Sequence, residues 1–164
     1  MAKREDWSIL WQHAEETFNA AVTLLVNNAG LISNWEKTLD IMLYGTCHGT
    51  YLAIDKMSIA KGGQGGRIVN IASMAGFLEG MRNIEEAGYT MAKSAVVSLT
   101  RSFAQRGSKG PWRRDGIKAF ALCPYFANTQ LVSSTTDIKA LEAKFKTRVL
   151  TVKEVSVRGE YFDT

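Results

Sequence analysis

Three short aliphatic runs, each ending in a turn of polar or small residues, constrain the fold of this chain more than any other feature. The runs begin at Val22, Arg67 and Gly116 and end at the turns 27–30, 73–76 and 123–124. Runs that stay apolar on both faces are typical of buried strands in a parallel sheet. Ligands bind outside the carboxyl ends of the strands in open α/β sheets. We therefore expect an α/β fold in which the three strand ends converge on one crevice.

Helical patterns precede, separate and follow these strands. Asn34 is suited to cap a long helix over about 35–60. A second helix carries Tyr89 and runs to about Arg106, and a weaker one spans about 137–147. The first segment of the chain has apolar residues at helical spacing, namely Trp7, Leu10, Trp11, Ala14 and Phe18.

Tyr89 and Lys93 lie four residues apart on the helix after the second strand. Residues at positions i and i+4 share one helix face, so the phenol and the ammonium can point into the same pocket. A nearby cation favours the phenolate and lowers a tyrosine pKa from its ordinary value of about 10. The pair therefore predicts a tyrosine tuned for acid–base catalysis, although two neighbours on a solvated helix face have the same spacing.

Polar side chains at the strand ends add to this pair. Ser73 follows the second strand, and beside Tyr89 and Lys93 we favour a functional role over a small residue that closes a strand. Asn28 follows the first strand. It is as well suited to hydrogen-bond the backbone of its own turn as to a functional role. Thr129 follows the third strand and is as well suited to cap a helix as to a functional role.

Composition and charge exclude several classes of function. The 164 residues suffice for one domain over residues 1–164, with residues 150–164 as an irregular tail. The net charge of +4 comes from scattered basic residues, so we expect no nucleic-acid binding. Cys47 and Cys123 fit no disulfide or metal pattern, and the two histidines form no metal cluster. With no membrane span and no signal peptide visible, we expect a cytoplasmic protein without a bound metal.

In this order, the motifs resemble the short-chain dehydrogenase/reductase family. That family has an Asn-Asn-Ala-Gly turn, a serine after the next strand, Tyr-x-x-x-Lys, and a proline after the following strand. The matching residues are Asn27–Gly30, Ser73, Tyr89 with Lys93, and Pro124. The resemblance covers about 7–134 and implies a Rossmann-like doubly wound parallel sheet that uses NAD. Segments 34–39, 49–52 and 62–66, with Asn128 and Thr129, further imply a hydroxy lipid of the prostaglandin type as substrate.

The resemblance also implies the roles of the reacting residues. Tyr89 would take the hydroxyl proton of a secondary alcohol while a hydride moves to nicotinamide. Lys93 would lower the pKa of Tyr89 and hold the nicotinamide ribose. Ser73 would bind the substrate oxygen. Glu86, three residues before Tyr89, faces either the substrate or the surface.

Cofactor and partner contacts follow from the same resemblance. Asn28 would line the cofactor cleft, and three residues would lie near the nicotinamide amide: Ala127, Asn128 and Thr129. Family members pair through their two long helices, which implies a homodimer through the 35–60 and 85–106 helices.

Four features depart from the family pattern. No glycine-rich turn between a strand and a helix precedes Asn27, since the glycines at 62–66 come before a strand and read as a flexible turn. Met42 stands where the family has a relay asparagine, and Tyr125 where it has a glycine. The loop near 83–88 is about three residues longer than usual, which can move Ser73 relative to the tyrosine.

These departures keep a second hypothesis open. The first βαβαβ half of the sheet is largely missing from the sequence, so the domain is expected to be incomplete. Under this hypothesis the chain is a catalytically inactive fragment or isoform that acts by association with a partner chain. A parallel sheet cut in this way exposes an apolar edge that invites pairing.

Overall fold

Strands and helices alternate along the chain in the order that the sequence predicts. The computed structural model describes residues 3–77, 84–109, 115–128, 137–145, 148–151 and 153. The elements are α1 Arg4–Phe18, β1 Leu24–Asn27, α2 Trp35–Leu39, α3 Gly45–Met57, β2 Gly66–Ile71, α4 Ile84–Lys109, β3 Ile117–Leu122 and α5 Ile138–Phe145. The predicted α/β class is confirmed.

The three strands form one parallel sheet in the order β1-β2-β3. Leu25 lies opposite Ile68, and Ile68 lies opposite Ala119, so these three side chains share one face of the sheet. Residues of α3 and α4 pack on that same face, as the right-handed rule for crossovers between parallel strands predicts. The main core forms there from Trp11, Ala53, Ile54, Met57 and Ile68, with Leu25, Phe103 and Ala119 packed against them.

The other face of β1 is open among the described residues. Leu24 and Val26 point away from the core and are 55% and 48% exposed. The prediction that the run from Val22 forms a fully buried strand is therefore wrong for this half of its side chains. The physical reason is that α1, α3 and α4 all pack on the opposite face, and a strand is buried on both sides only between two layers.

The long helix predicted over about 35–60 is present but is not uniform. Asn34 caps it as predicted, since its Oδ1 accepts a hydrogen bond of 2.9 Å from the Lys37 amide. A π-helical turn, Asp40–Tyr44, joins α2 to α3. Such turns widen the helix and occur often at functional sites. The described helix ends at Met57, a few residues before the predicted end.

The glycine-rich segment 62–66 connects α3 to β2 at the amino end of the sheet. Gly65 has φ of 76°, and its amide donates to the Met57 carbonyl at 2.7 Å. A Cβ at Gly65 would lie 2.6 Å from the Gly116 carbonyl oxygen. This segment is a tight turn at the sheet end opposite to the strand ends where ligands are expected.

Candidate active site

The carboxyl ends of β2 and β3 bring together residues that lie far apart in sequence. The ladder between these strands continues past their ends, since the Ala72 amide donates to the Leu122 carbonyl at 2.8 Å. The Met74 amide then donates to the Pro124 carbonyl at 2.9 Å. Ser73 is thereby held at the edge of the sheet, beside the end of β3.

Ser73 and Tyr89 are in contact. Ser73 is 7% exposed, and its Oγ accepts a hydrogen bond of 3.1 Å from the Ala75 amide. The Ser73 hydroxyl also lies close enough to the Tyr89 phenol to act on its pKa. The predicted loop near 83–88 is wrong for 84–88, because α4 begins at Ile84, and residues 78–83 lie outside the described residues. Ser73 and Tyr89 remain close to each other in this arrangement.

Burial, rather than a cation, dominates the acidity of Tyr89. Burial raises the pKa of the phenol, and the Ser73 hydroxyl opposes this only in part. The expected lowering of the Tyr89 pKa by Lys93 is therefore wrong for this arrangement. Lys93 Nζ lies 5.6 Å from the centroid of the Tyr89 ring and donates a 2.6 Å hydrogen bond to the Ile71 carbonyl instead of to the phenol.

Lys93 is an unusually buried amine. The residue is 4% exposed, and burial lowers the pKa of its amine from 10.5 to about 8. A protonated amine loses its hydration when it is buried, so burial favours the neutral form. The group is still mostly protonated near neutral pH and loses its charge in mildly alkaline solution.

Cys123 belongs to the same cluster, although its sequence pattern predicts only a reduced thiol. Burial raises the pKa of the thiol, while the charge of Lys93 and a hydrogen bond from the Ser73 amide act in the opposite direction. Cys123 is a free cysteine at the end of β3, directly before Pro124. The parallel pairing of β2 with β3 was the signal that could have placed it next to Ser73.

Met42 is buried in the π-helical turn, where it is 1% exposed. Its thioether accepts a 3.5 Å hydrogen bond from the Leu31 amide, and its carbonyl accepts one of 2.7 Å from Thr46 Oγ1. A thioether donates no hydrogen bond. The side chain therefore cannot pass a proton to a neighbour as an asparagine amide could.

The predicted cofactor residues lie at two separate strand ends, and no contact between them is described. Asn28 is exposed just after β1. Ala127 is partly buried and forms a parallel bridge with Leu150, and the Asn128 amide donates to the Leu150 carbonyl at 2.7 Å. These contacts place 127–128 beyond the carboxyl end of β3, where the backbone of Asn128 is already engaged.

Two predicted site residues lie partly or wholly outside the described residues. Glu86 lies on α4, three residues before Tyr89, and its side chain is outside the described part. Thr129 lies outside the described residues. Within the described ranges, no group of three His, Cys, Asp or Glu side chains could hold a metal ion. No helix in this part of the chain is long and apolar enough to cross a membrane.

Comparison with known proteins points in the same direction as the geometry. A family model for short chain dehydrogenases matches residues 1–140. The NAD(+)-dependent 15-hydroxyprostaglandin dehydrogenase of Homo sapiens is 38% identical over 131 residues, which are 75% of this chain and 47% of that protein. The 3beta-hydroxysteroid dehydrogenase 2 of Eggerthella lenta is 30% identical over 141 residues, 79% of this chain and 49% of that enzyme.

A third relative has a different substrate in its name. The 2-dehydro-3-deoxy-D-gluconate 5-dehydrogenase of Bacillus subtilis is 36% identical over 127 residues, 71% of this chain and 46% of the relative. The chain thus spans about half the length of the curated relatives it matches. With a family match over most of its length and a Ser73, Tyr89 and Lys93 cluster at the sheet edge, the chain belongs to the short-chain dehydrogenase family of oxidoreductases.

Proposed function

We propose that this chain supports hydride transfer between NAD and a secondary alcohol, with a hydroxy lipid of the prostaglandin type as substrate. The observation that carries the proposal is the contact of Ser73 with Tyr89, with the Lys93 amine over the same ring. The names of relatives that are NAD-dependent and act on 15-hydroxyprostaglandins support the cofactor and the substrate class. Two free thiols fit a reducing compartment such as the cytoplasm.

The three side chains divide the chemistry between them. Ser73 Oγ donates to the oxygen of the substrate and stabilises the charge that develops there. Tyr89 Oη takes the hydroxyl proton during oxidation and returns it during reduction. In the described arrangement the raised pKa keeps Tyr89 as a phenol, which suits proton donation. Oxidation requires Lys93 to turn from the Ile71 carbonyl toward the phenol, so that its charge stabilises the phenolate.

The residues present fit one end of NAD better than the other. Tyr89 and Lys93 supply polar hydrogens at the sheet edge for the hydroxyls of the nicotinamide ribose, and Asn28 is exposed at a neighbouring strand end. NAD, when bound, supplies the hydride acceptor. The sequence contains no glycine-rich strand-to-helix turn for the pyrophosphate. Binding by this chain alone therefore depends on the ribose end.

Calorimetric titration of the purified chain with NAD tests the proposal. We expect a dissociation constant below about 1 mM, weakened at least about tenfold by Lys93→Met. Lys37→Met is the matched control for Lys93→Met, because Lys37 is an exposed lysine on α2. Absence of binding at about millimolar NAD rejects catalysis by this chain alone.

Association with another chain is a second candidate function, favoured by the open face of β1. Leu24 and Val26 are 55% and 48% exposed there, an apolar surface that a strand or a helix of a partner could cover. Under this proposal the chain does not bind NAD and acts only as part of a complex. Sedimentation of the purified chain, compared with a Val26→Lys variant, should show association that the charge abolishes; identical behaviour of both chains rejects it.

For the enzyme, we propose a homodimer in which two copies of the chain pair through α3 and α4. Tyr44 and Tyr51 are 55% and 61% exposed and lie seven residues apart, about two helical turns, and Met91 on α4 is 49% exposed. Aromatic and methionine side chains of this kind are enriched in interfaces. Light scattering after size-exclusion chromatography should report a dimer that Tyr51→Glu separates, and a monomeric parent chain contradicts the proposal.

A further inference from the structure

A row of buried amide and hydroxyl side chains crosses the sheet near the candidate active site. Asn27 Nδ2 donates to Asn70 Oδ1 at 2.8 Å and to Thr50 Oγ1 at 3.2 Å. Asn70 Nδ2 donates in turn to Thr100 Oγ1 at 2.9 Å, and Thr100 Oγ1 donates to the Val96 carbonyl at 2.8 Å. The four side chains belong to β1, α3, β2 and α4 and are at most 7% exposed.

Three of the four members lie close in sequence to a residue of the site. Asn27 directly precedes Asn28, and Asn70 comes three residues before Ser73. Thr100 follows Lys93 by seven residues, which is about two turns of α4, so the two side chains lie on the same side of the helix. The row therefore connects the elements that carry the predicted cofactor and catalytic residues.

Asn70 is the residue on which this row depends. Its carboxamide oxygen accepts from Asn27 and its amide nitrogen donates to Thr100, so it joins both neighbouring elements to β2. A buried polar side chain costs stability when its partners are lost. Among the described residues, one buried side-chain atom of the row, Asn27 Oδ1, has no hydrogen-bond partner. Apolar side chains at these positions would avoid that cost. The polar side chains of the row are therefore better explained by a role in positioning the elements they join.

A second polar link between β2 and α4 comes from the site itself. Lys93 Nζ donates to the carbonyl of Ile71, the residue after Asn70. The proposed chemistry requires Lys93 to leave this carbonyl, and the link between α4 and β2 would then be lost at that point. The bond between Asn70 and Thr100 does not involve Lys93 and persists when the amine turns away.

We propose that Asn70 and Thr100 are positioning residues that hold α4 against β2, so that Lys93 and Tyr89 remain beside Ser73 when Lys93 releases the Ile71 carbonyl. The inference rests on the proposed function for its purpose. Its test requires neither NAD nor turnover, so failure of NAD binding leaves the result readable. The readout is the burial of the Lys93 amine, which depends on how closely α4 packs on β2.

The experiment is an NMR titration of the Lys93 amine in ¹³C-lysine-labelled chain, assigned with Lys93→Met. Thr100→Val removes the hydroxyl that accepts from Asn70 and keeps the shape of the side chain. Thr100→Ser keeps the hydroxyl and is the conservative rescue. Ser58→Ala is the matched control, because Ser58 is 2% exposed and hydrogen-bonds Asp115 at the opposite end of the sheet.

We expect Thr100→Val to raise the pKa of the Lys93 amine by about one unit, as looser packing admits water. Thr100→Ser and Ser58→Ala should leave it unchanged. The titrating groups beside Lys93 among the described residues, Tyr89 and Cys123, are the same in all variants. An unchanged pKa in Thr100→Val overturns the proposal, as does an equal rise in Thr100→Ser or Ser58→Ala. If Thr100→Val does not fold, Asn70→Ser replaces it, because a serine side chain is too short to bond both Asn27 and Thr100. The same rise in the pKa of the Lys93 amine is then expected, and an unchanged pKa overturns the proposal.

Discussion

Replacement of Lys93 by methionine tests the most unusual electrostatic feature of the molecule. Burial lowers the pKa of this amine from 10.5 to about 8 in the folded chain. At about 1.4 kcal/mol for each unit, the protonated amine reduces the free energy of unfolding by about 3 kcal/mol near neutral pH. Methionine has a similar length without the charge, so this destabilisation is absent from the variant.

The effect has a definite sign and pH range. Because the folded-state pKa is lowered, the unfolded chain binds more protons between about pH 8 and pH 10.5. The free energy of unfolding therefore rises with pH through this window, and the cost of burial is fully present below it. Between about pH 7 and pH 9, the amine alone should add about 1 kcal/mol of stability to the parent chain and nothing to Lys93→Met.

The pH dependence is more informative than the absolute change. Methionine leaves the Ile71 carbonyl without its donor, which costs about 1–3 kcal/mol and largely offsets the gain at neutral pH. Urea unfolding followed by circular dichroism at several pH values gives the difference between the two chains. Lys37→Met, at an exposed lysine on α2, is the control and should follow the parent chain. Parallel stability curves for the parent and Lys93→Met would refute the conclusion that the amine is desolvated.

Three further predictions address local structure and the thiol of the site. Asn34→Ala should cost about 1 kcal/mol of stability by loss of the helix cap, whereas Asn34→Asp should cost much less in the same urea assay. Gly65→Ala should destabilise more than Gly62→Ala, since both have positive φ but only at Gly65 would a Cβ meet the Gly116 carbonyl; equal losses contradict this. Because burial raises its thiol pKa, Cys123 should react with iodoacetamide at neutral pH more slowly than a free thiol, as mass spectrometry of timed samples can measure; an equal rate contradicts the assigned environment.

Local patterns in the sequence were sufficient for the elements and for the central pair of the site. Asn34 predicts the helix start because capping depends on a side chain and the backbone three residues later. Tyr89 and Lys93 predict a shared face because the geometry of a helix repeats over four residues. Alternation between aliphatic runs and helical periodicity predicted the parallel α/β sheet for the same reason, since each pattern reports on its own segment.

Properties that depend on distant segments were decided only by the tertiary structure. The placement of Cys123 beside Ser73 follows from the pairing of β2 with β3, and the bond of Asn70 to Thr100 from the packing of α4. The pKa of Tyr89 is raised because its surroundings exclude water, which its spacing from Lys93 cannot reveal. Exposure of Leu24 likewise depends on which face the helices cover. Spacing along the chain determines which groups can meet, whereas desolvation is set by everything that packs around them.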